Sequence, residues 1–217
     1  MSLVETDWLE NNKDKVKIID CSWHMPQTKR NGFEEYKTQH IPESIFFDLD
    51  DNSDKNTNLP HMLVNKNEWE KIVSKMGIKN EDMIIIYDNS DVVSSCRCWF
   101  NFIYYGHDPK LVHVLNGGLK KWLEEKRKVT NNLSKVMKSD YKSFENQELV
   151  KNKDSINQNI ETQNFRVVDA RSKERFEGKV PEPREGLKSG NIKNSVCIPF
   201  GSCLNPVSYT HLRAHET

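Results

Sequence analysis

In this chain of 217 residues, 32 basic side chains cancel 32 acidic ones, which excludes a strong general pull toward nucleic acid or an anionic membrane surface. Apolar residues at 35% and charged residues at 29% make a polar balance, yet Trp, Phe and Ile occur in clusters, which excludes disorder along the whole length. No apolar run of roughly 18 residues is present to cross a membrane as a helix.

In chain order, Thr6 is placed to cap a short helix carrying Trp8 and Leu9. Val16 to Asp20 is a compact apolar run ending in an acid, the pattern of a buried parallel strand. A polar loop from Cys21 leads to Phe33 and Tyr36 on one helical face. His40-Ile41-Pro42 then leads into a second strand, Ile45-Phe46-Phe47, followed by an Asp-rich loop. Asn65 with Glu68 resembles a capping box, and Trp69, Ile72, Val73 and Met76 repeat at helical spacing until Gly77. Met83 to Tyr87 is a third strand and Asp88 to Ser94 a polar loop. Cys96, Trp99, Phe100 and Ile103 share a helical face. Leu111 to Leu115 is a further strand, and Gly117-Gly118 opens a helix with Leu119, Trp122 and Leu123.

This alternation predicts a parallel α/β sheet covered by helices on both faces. In such sheets chemistry sits beyond the carboxyl ends of the strands, which points to the loop after Tyr87. Glu124 to Asn164 is rich in Lys, Asn and Ser and reads as a connection with one helix near Gln147 to Asn159.

After it the pattern restarts. Ile18-Ile19-Asp20 matches Val167-Val168-Asp169 at an offset of 149 (169 − 20), and His40-Ile41 matches Asn191-Ile192 at 151 (192 − 41). Nearly equal offsets imply a duplicated domain. The expected division is 1–138 for a first, non-catalytic domain and 139–164 for a linker and helix. The start of a second domain, an incomplete copy, is expected over 165–204. The partner of the Asp88 loop is expected near position 239 (88 + 151), outside these residues. Residues 205–217, NPVSYTHLRAHET, fit neither copy and read as a non-native, disordered tail.

HIPES-IFFDLD, YYGHDP, VLNGGLKKWL, VVDARSKERFEG, PEPREG and GNIKNSVCIPF together resemble the tandem-rhodanese sulfurtransferases, the family of mercaptopyruvate and thiosulfate sulfurtransferases. Glu43 and Asn194 stand where that family usually has Gly, Lys193 replaces its Pro and Asn191 its His.

The resemblance implies a rhodanese-like fold and sulfur transfer through a cysteine persulfide, from 3-mercaptopyruvate or thiosulfate to a thiol or cyanide. It implies a thioredoxin- or glutathione-type acceptor and no cofactor. Asp88 matches the place of the catalytic cysteine in the silent first copy. Arg175 and Arg184 match a pair that grips the donor's carboxylate, and the Pro-Glu-Pro-Arg form resembles the mercaptopyruvate branch more closely. Asp50 and His61 match a first-domain pair that acts in a proton relay. A non-catalytic binding or regulatory module of the same fold is the alternative.

Five cysteines, Cys21, Cys96, Cys98, Cys197 and Cys203, without a CxxC spacing suit a reducing compartment. The absence of a signal or transit pattern in MSLVETDWLENNKDK points to the cytoplasm, with the mitochondrion as the family's alternative. Cys96 is expected on the buried face of its helix, Cys197 in the core, and Cys203 outside any catalytic loop. No metal site is expected. Asp48 to Asp54 lacks the Gly and terminal Glu of a calcium loop, and the spacing of His211 and His215 is assigned to the tail.

Overall fold

The computed structural model describes residues 3–183 and 186–204, so Arg184 and the tail 205–217 lie outside the described residues. The chain divides into two units, Met1–Gln147 and Glu148–Thr217.

The first unit starts with β1 (Leu3–Val4), α1 (Thr6–Asn12) and β2 (Lys17–Asp20), followed by α2 (Gly32–Thr38) and β3 (Ser44–Phe46). It continues with α3 (Lys66–Lys75), β4 (Ile84–Tyr87), α4 (Ser94–Tyr104), β5 (Val112–Leu115) and α5 (Gly118–Glu124). All its strands are parallel, in the order β1-β5-β4-β2-β3. Parallel neighbours require crossovers, and the helices supply them.

Side-chain alternation splits the core between the two faces of the sheet. Ile19, Ile84 and Ile86 meet Trp69 and Val73 of α3 and Cys98 and Phe102 of α4. Ile18, Ile85 and Tyr87 meet Leu9 of α1 and Leu119 and Trp122 of α5. The strands are buried on both faces, which is why they read as continuous apolar runs rather than alternating ones.

Local signals set the helix ends. Asn65 Oδ1 accepts from the Glu68 N–H at 3.1 Å and caps α3. Gly117 and Gly118 enter α5 at φ 82° and 55°. A side chain on Gly118 would meet the Asp88 carbonyl oxygen at 2.5 Å, so the turn that brings α5 against the β4 loop requires glycine.

Three details of the first unit depart from the sequence expectations. Thr6 lies inside α1, with Glu5 at the cap position, and its hydroxyl donates to Glu125 Oε2 at 2.5 Å. On α4 the buried cysteine is Cys98, and Cys96 is exposed, because the covered stripe runs through Ser95, Cys98 and Phe102. The stretch 139–146, expected within a linker, packs on the first unit. The Tyr141 ring is buried, the Tyr141 N–H donates to Ser74 Oγ at 3.1 Å, and Phe144 and Asn146 donate to the carbonyls of Tyr105 and Tyr104.

The second unit carries α6 (Lys153–Thr162), β6 (Val168–Asp169), α7 (Lys173–Phe176) and β7 (Val196–Cys197). The helix expected near Gln147–Asn159 forms a few residues later, because Asn152 caps it by accepting from the Ser155 N–H at 2.8 Å. β6 and β7 are parallel, and Cys197 on β7 is half-buried rather than core. Val168, Val196, Ile198 and Phe200 are exposed.

Candidate functional site

The carboxyl ends of β2, β3 and β4 gather the chemistry-bearing side chains of the first unit. After β4 the chain turns at Asp88. Its Oδ2 accepts from the Ser95 N–H at 2.6 Å and its Oδ1 from the Ser90 N–H at 3.1 Å. The loop is further closed by Ser90 Oγ, which accepts from the Val92 and Ser94 N–H groups, and by the Asn89 N–H, which donates to Ser22 Oγ at 2.9 Å. A carboxylate from within the loop therefore satisfies one amide of the loop itself and one at the start of α4. Loops and helix N-termini of this kind bind anions, and here the anion is the loop's own.

Next to this loop, Asp20 ends β2 buried. Its Oδ1 accepts from the Ser22 N–H at 2.9 Å and from Ser22 Oγ at 2.6 Å. Burial outweighs these bonds and pushes its carboxyl up to about 6.

Asp50 and His61 are brought together: His61 Nε2 lies 2.8 Å from Asp50 Oδ1. Trp23 Nε1 donates to the other oxygen, Oδ2, at 2.8 Å, and its ring stands edge-on to the His61 ring at 4.8 Å. His61 holds a left-handed backbone, φ 55°, and its carbonyl oxygen accepts from the guanidinium of Arg97. Neither Trp23 nor Arg97 is a candidate on sequence grounds. The available signals were an indole in a polar loop just past a strand's acid end and a cation inside an otherwise apolar helix.

In the second unit, Arg175 sits on α7, directly after β6, and pairs with Glu182 through Nη2 and, at 3.3 Å, through Nε. Arg171 Nη1 donates to the same Glu182 at 2.7 Å. Arg171 also grips Asp169 Oδ1 and Oδ2 through Nε, at 2.9 and 3.0 Å, and reaches the Gly190 carbonyl at 2.7 Å. The Arg175 guanidinium holds Glu182 below its ordinary carboxylate range, and Arg171 does the same to Asp169. Glu182 stands in the Pro-Glu-Pro-Arg form, whose pattern does not encode its pairing with Arg175 and Arg171. Arg184 lies outside the described residues, so only Arg175 of the expected pair is placed.

Cys21 and Cys98 are buried, Cys96 and Cys203 exposed and Cys197 half-buried. Among the described residues no helix is long and apolar enough to cross a membrane.

Comparison with known proteins places this geometry. The rhodanese-like domain model matches residues 5–125. The thiosulfate/3-mercaptopyruvate sulfurtransferase 1, mitochondrial, of Arabidopsis thaliana is 38% identical over 91% of this chain and 58% of its own length. The 3-mercaptopyruvate sulfurtransferase of Mus musculus is 32% identical over 92% of this chain and 69% of its own length. The chain spans 58% and 64% of the lengths of two Arabidopsis relatives.

The Tum1 protein of Saccharomyces cerevisiae superposes with a TM-score of 0.86 at 29% identity, over 97% of this chain and 74% of that one. SseA of Escherichia coli, described as a 3-mercaptopyruvate sulfotransferase of rhodanese fold, gives 0.88 at 25% identity, over 100% and 80%. The chain thus belongs to the rhodanese-like family of the thiosulfate and 3-mercaptopyruvate sulfurtransferases.

Proposed function

We propose that this chain serves a sulfurtransferase that takes sulfane sulfur from 3-mercaptopyruvate, or from thiosulfate, and delivers it to a thiol or cyanide. The observation that carries the reading is the fork of Arg175, which closes on a carboxylate just past the end of β6 in a member of this family. A donor carboxylate would take the place of Glu182 on that fork, with Arg184 as the second cation.

The chemistry is double displacement. A cysteine thiolate attacks the donor's sulfur. The carbon–sulfur bond of mercaptopyruvate breaks toward carbon, which takes a proton to give pyruvate. An acceptor thiolate, of thioredoxin or glutathione type, then removes the outer sulfur and restores the cysteine. Asp50 and His61 are the proton-relay pair of this scheme. No cofactor takes part.

The first unit is the non-catalytic copy, since Asp88 fills its own amide cradle. None of Cys21, Cys96, Cys98, Cys197 and Cys203 sits in such a loop, so the 217 residues alone are expected not to turn over. The division into a non-catalytic first domain, a connecting helix and the start of a second domain over 165–204 is part of the proposal, with the first domain extended to take in the packed stretch 139–146. The cytoplasm is the proposed compartment and the mitochondrion the alternative, which one relative's name carries.

The test is sulfide release from 3-mercaptopyruvate with a dithiol acceptor, by a protein that joins this chain to the remaining length of its relatives. Arg175→Ala is expected to raise KM about 10- to 100-fold, the value of a lost charged hydrogen-bond pair. An unchanged KM removes Arg175 from the donor site. The second reading, a binding module, rests on the self-filled Asp88 loop and gains if the longer protein binds donor without releasing sulfide.

A further inference from the structure

We infer that Arg97 is a positioning residue, which fixes the backbone of His61 while Trp23 fixes the carboxylate of Asp50, so that α4 serves as the frame of the Asp50–His61 pair. The inference rests on the reading of that pair as a proton relay.

The pair does not orient itself. The Asp50 side chain is 62% exposed, and an exposed ion pair adds little, because water competes for both partners. His61 also adopts a left-handed backbone, which a residue with a side chain keeps only where its surroundings impose it.

Those surroundings are visible. The Arg97 guanidinium donates to the His61 carbonyl, and the Asp54 N–H holds the next carbonyl, that of Met62, at 2.9 Å. Arg97 is an awkward residue for this helix. Its Nε is buried without a hydrogen-bond partner among the described residues, and burial pushes its guanidinium down from its ordinary range. The bond to His61 is what the buried cation gives in return.

Trp23 completes the frame. Its indole N–H takes the Asp50 oxygen that His61 leaves, and its own backbone N–H donates to Ser94 Oγ at 3.2 Å, in the first turn of α4. One helix thus holds His61 through Arg97 and Asp50 through Trp23. With Nε2 committed to Asp50, Nδ1 is the imidazole nitrogen left for proton transfer.

Long-range 1H–15N spectra of the 217-residue chain test this without turnover. They report which imidazole nitrogen carries the proton, and the Trp23 indole peak is assigned by its loss in Trp23→Phe. The wild type is expected in the Nε2–H form. Arg97→Gln is expected to give a mixture of both tautomers and to move the Trp23 indole peak, with Arg97→Lys in between. Trp23→Phe keeps the ring and loses the hydrogen bond, and is expected to give the same mixture.

A wild-type tautomer and indole peak in folded Arg97→Gln would overturn the inference. If Arg97→Gln does not fold, an unchanged tautomer in both Arg97→Lys and Trp23→Phe overturns it instead. In the longer protein, Arg97→Gln is expected to lower kcat about 10-fold or more with an unchanged donor KM. A mixed tautomer with full kcat would leave the positioning role standing and remove the relay reading.

Discussion

Glu43 and Asn194, 151 positions apart (194 − 43), hold the same left-handed backbone, φ 66° and 67°. Each stands just before a parallel strand, and the likeness continues beyond it. Ile19 faces Ile45 and Asp20 faces Phe46, as Val168 faces Val196 and Asp169 faces Cys197. The Ser44 N–H donates to Ile41 O as Ser195 does to Ile192 O, and Phe47 donates to Asp20 O as Ile198 does to Asp169 O. The two units share one local construction.

Left-handed backbone costs a residue with a side chain roughly 1–2 kcal/mol, part of which glycine returns as unfolded-state entropy. Glu43→Gly is therefore expected to stabilise the first unit by about 0.5–1 kcal/mol, which thermal unfolding would show as a rise of roughly 2–4 °C. Glu43→Val should lower the midpoint, since a β-branched residue fits that backbone poorly.

Asp20 makes stability depend on pH in a defined direction. Its carboxyl titrates at about 6 in the folded chain and near 3.8 without burial. The folded state thus binds more protons between these values. The contribution is present below about pH 4 and is lost as pH rises through about 6. Relative to Asp20→Asn, the wild type should lose on the order of 2–3 kcal/mol between pH 4 and 7. Urea unfolding of both at each pH measures it, and parallel pH curves would contradict it.

Trp69 is the centre of one face of the core. It is fully buried, stacks on Tyr105 at 4.4 Å and meets Phe102 edge-on at 5.2 Å. Trp69→Ala should cost about 3–5 kcal/mol and Trp69→Phe clearly less, as shifts in the denaturant midpoint.

Asp88 closes its loop on itself. Asp88→Ala removes the acceptors of the Ser95 and Ser90 N–H groups and should cost about 1–3 kcal/mol. Amide exchange should quicken over residues 88–95 and hardly change at Trp69.

Strands and helices were legible because their signals are local. The apolar runs at Ile84–Tyr87, the Asn65 cap and the Gly117-Gly118 turn each name their own element. The faces were less so. Cys96 and Cys98 both lie near the apolar stripe of α4, and only the sheet beneath decides that Cys98 is covered. At the site, Asp50 and His61 were legible by resemblance. Trp23 and Arg97 were not, because their roles come from contacts across 27 and 36 positions that no local pattern encodes. The packing of 139–146 was hidden in the same way, since Tyr141 is one aromatic in a polar stretch.

Sulfide release from 3-mercaptopyruvate tests the central claim most directly, run side by side on the 217-residue chain and on a protein that extends it to the length of its relatives. The longer protein should release sulfide with a dithiol acceptor, lose donor affinity in Arg175→Ala and lose kcat in His61→Ala, while the 217-residue chain stays silent. Failure of the longer protein to move sulfur from either 3-mercaptopyruvate or thiosulfate would contradict the account.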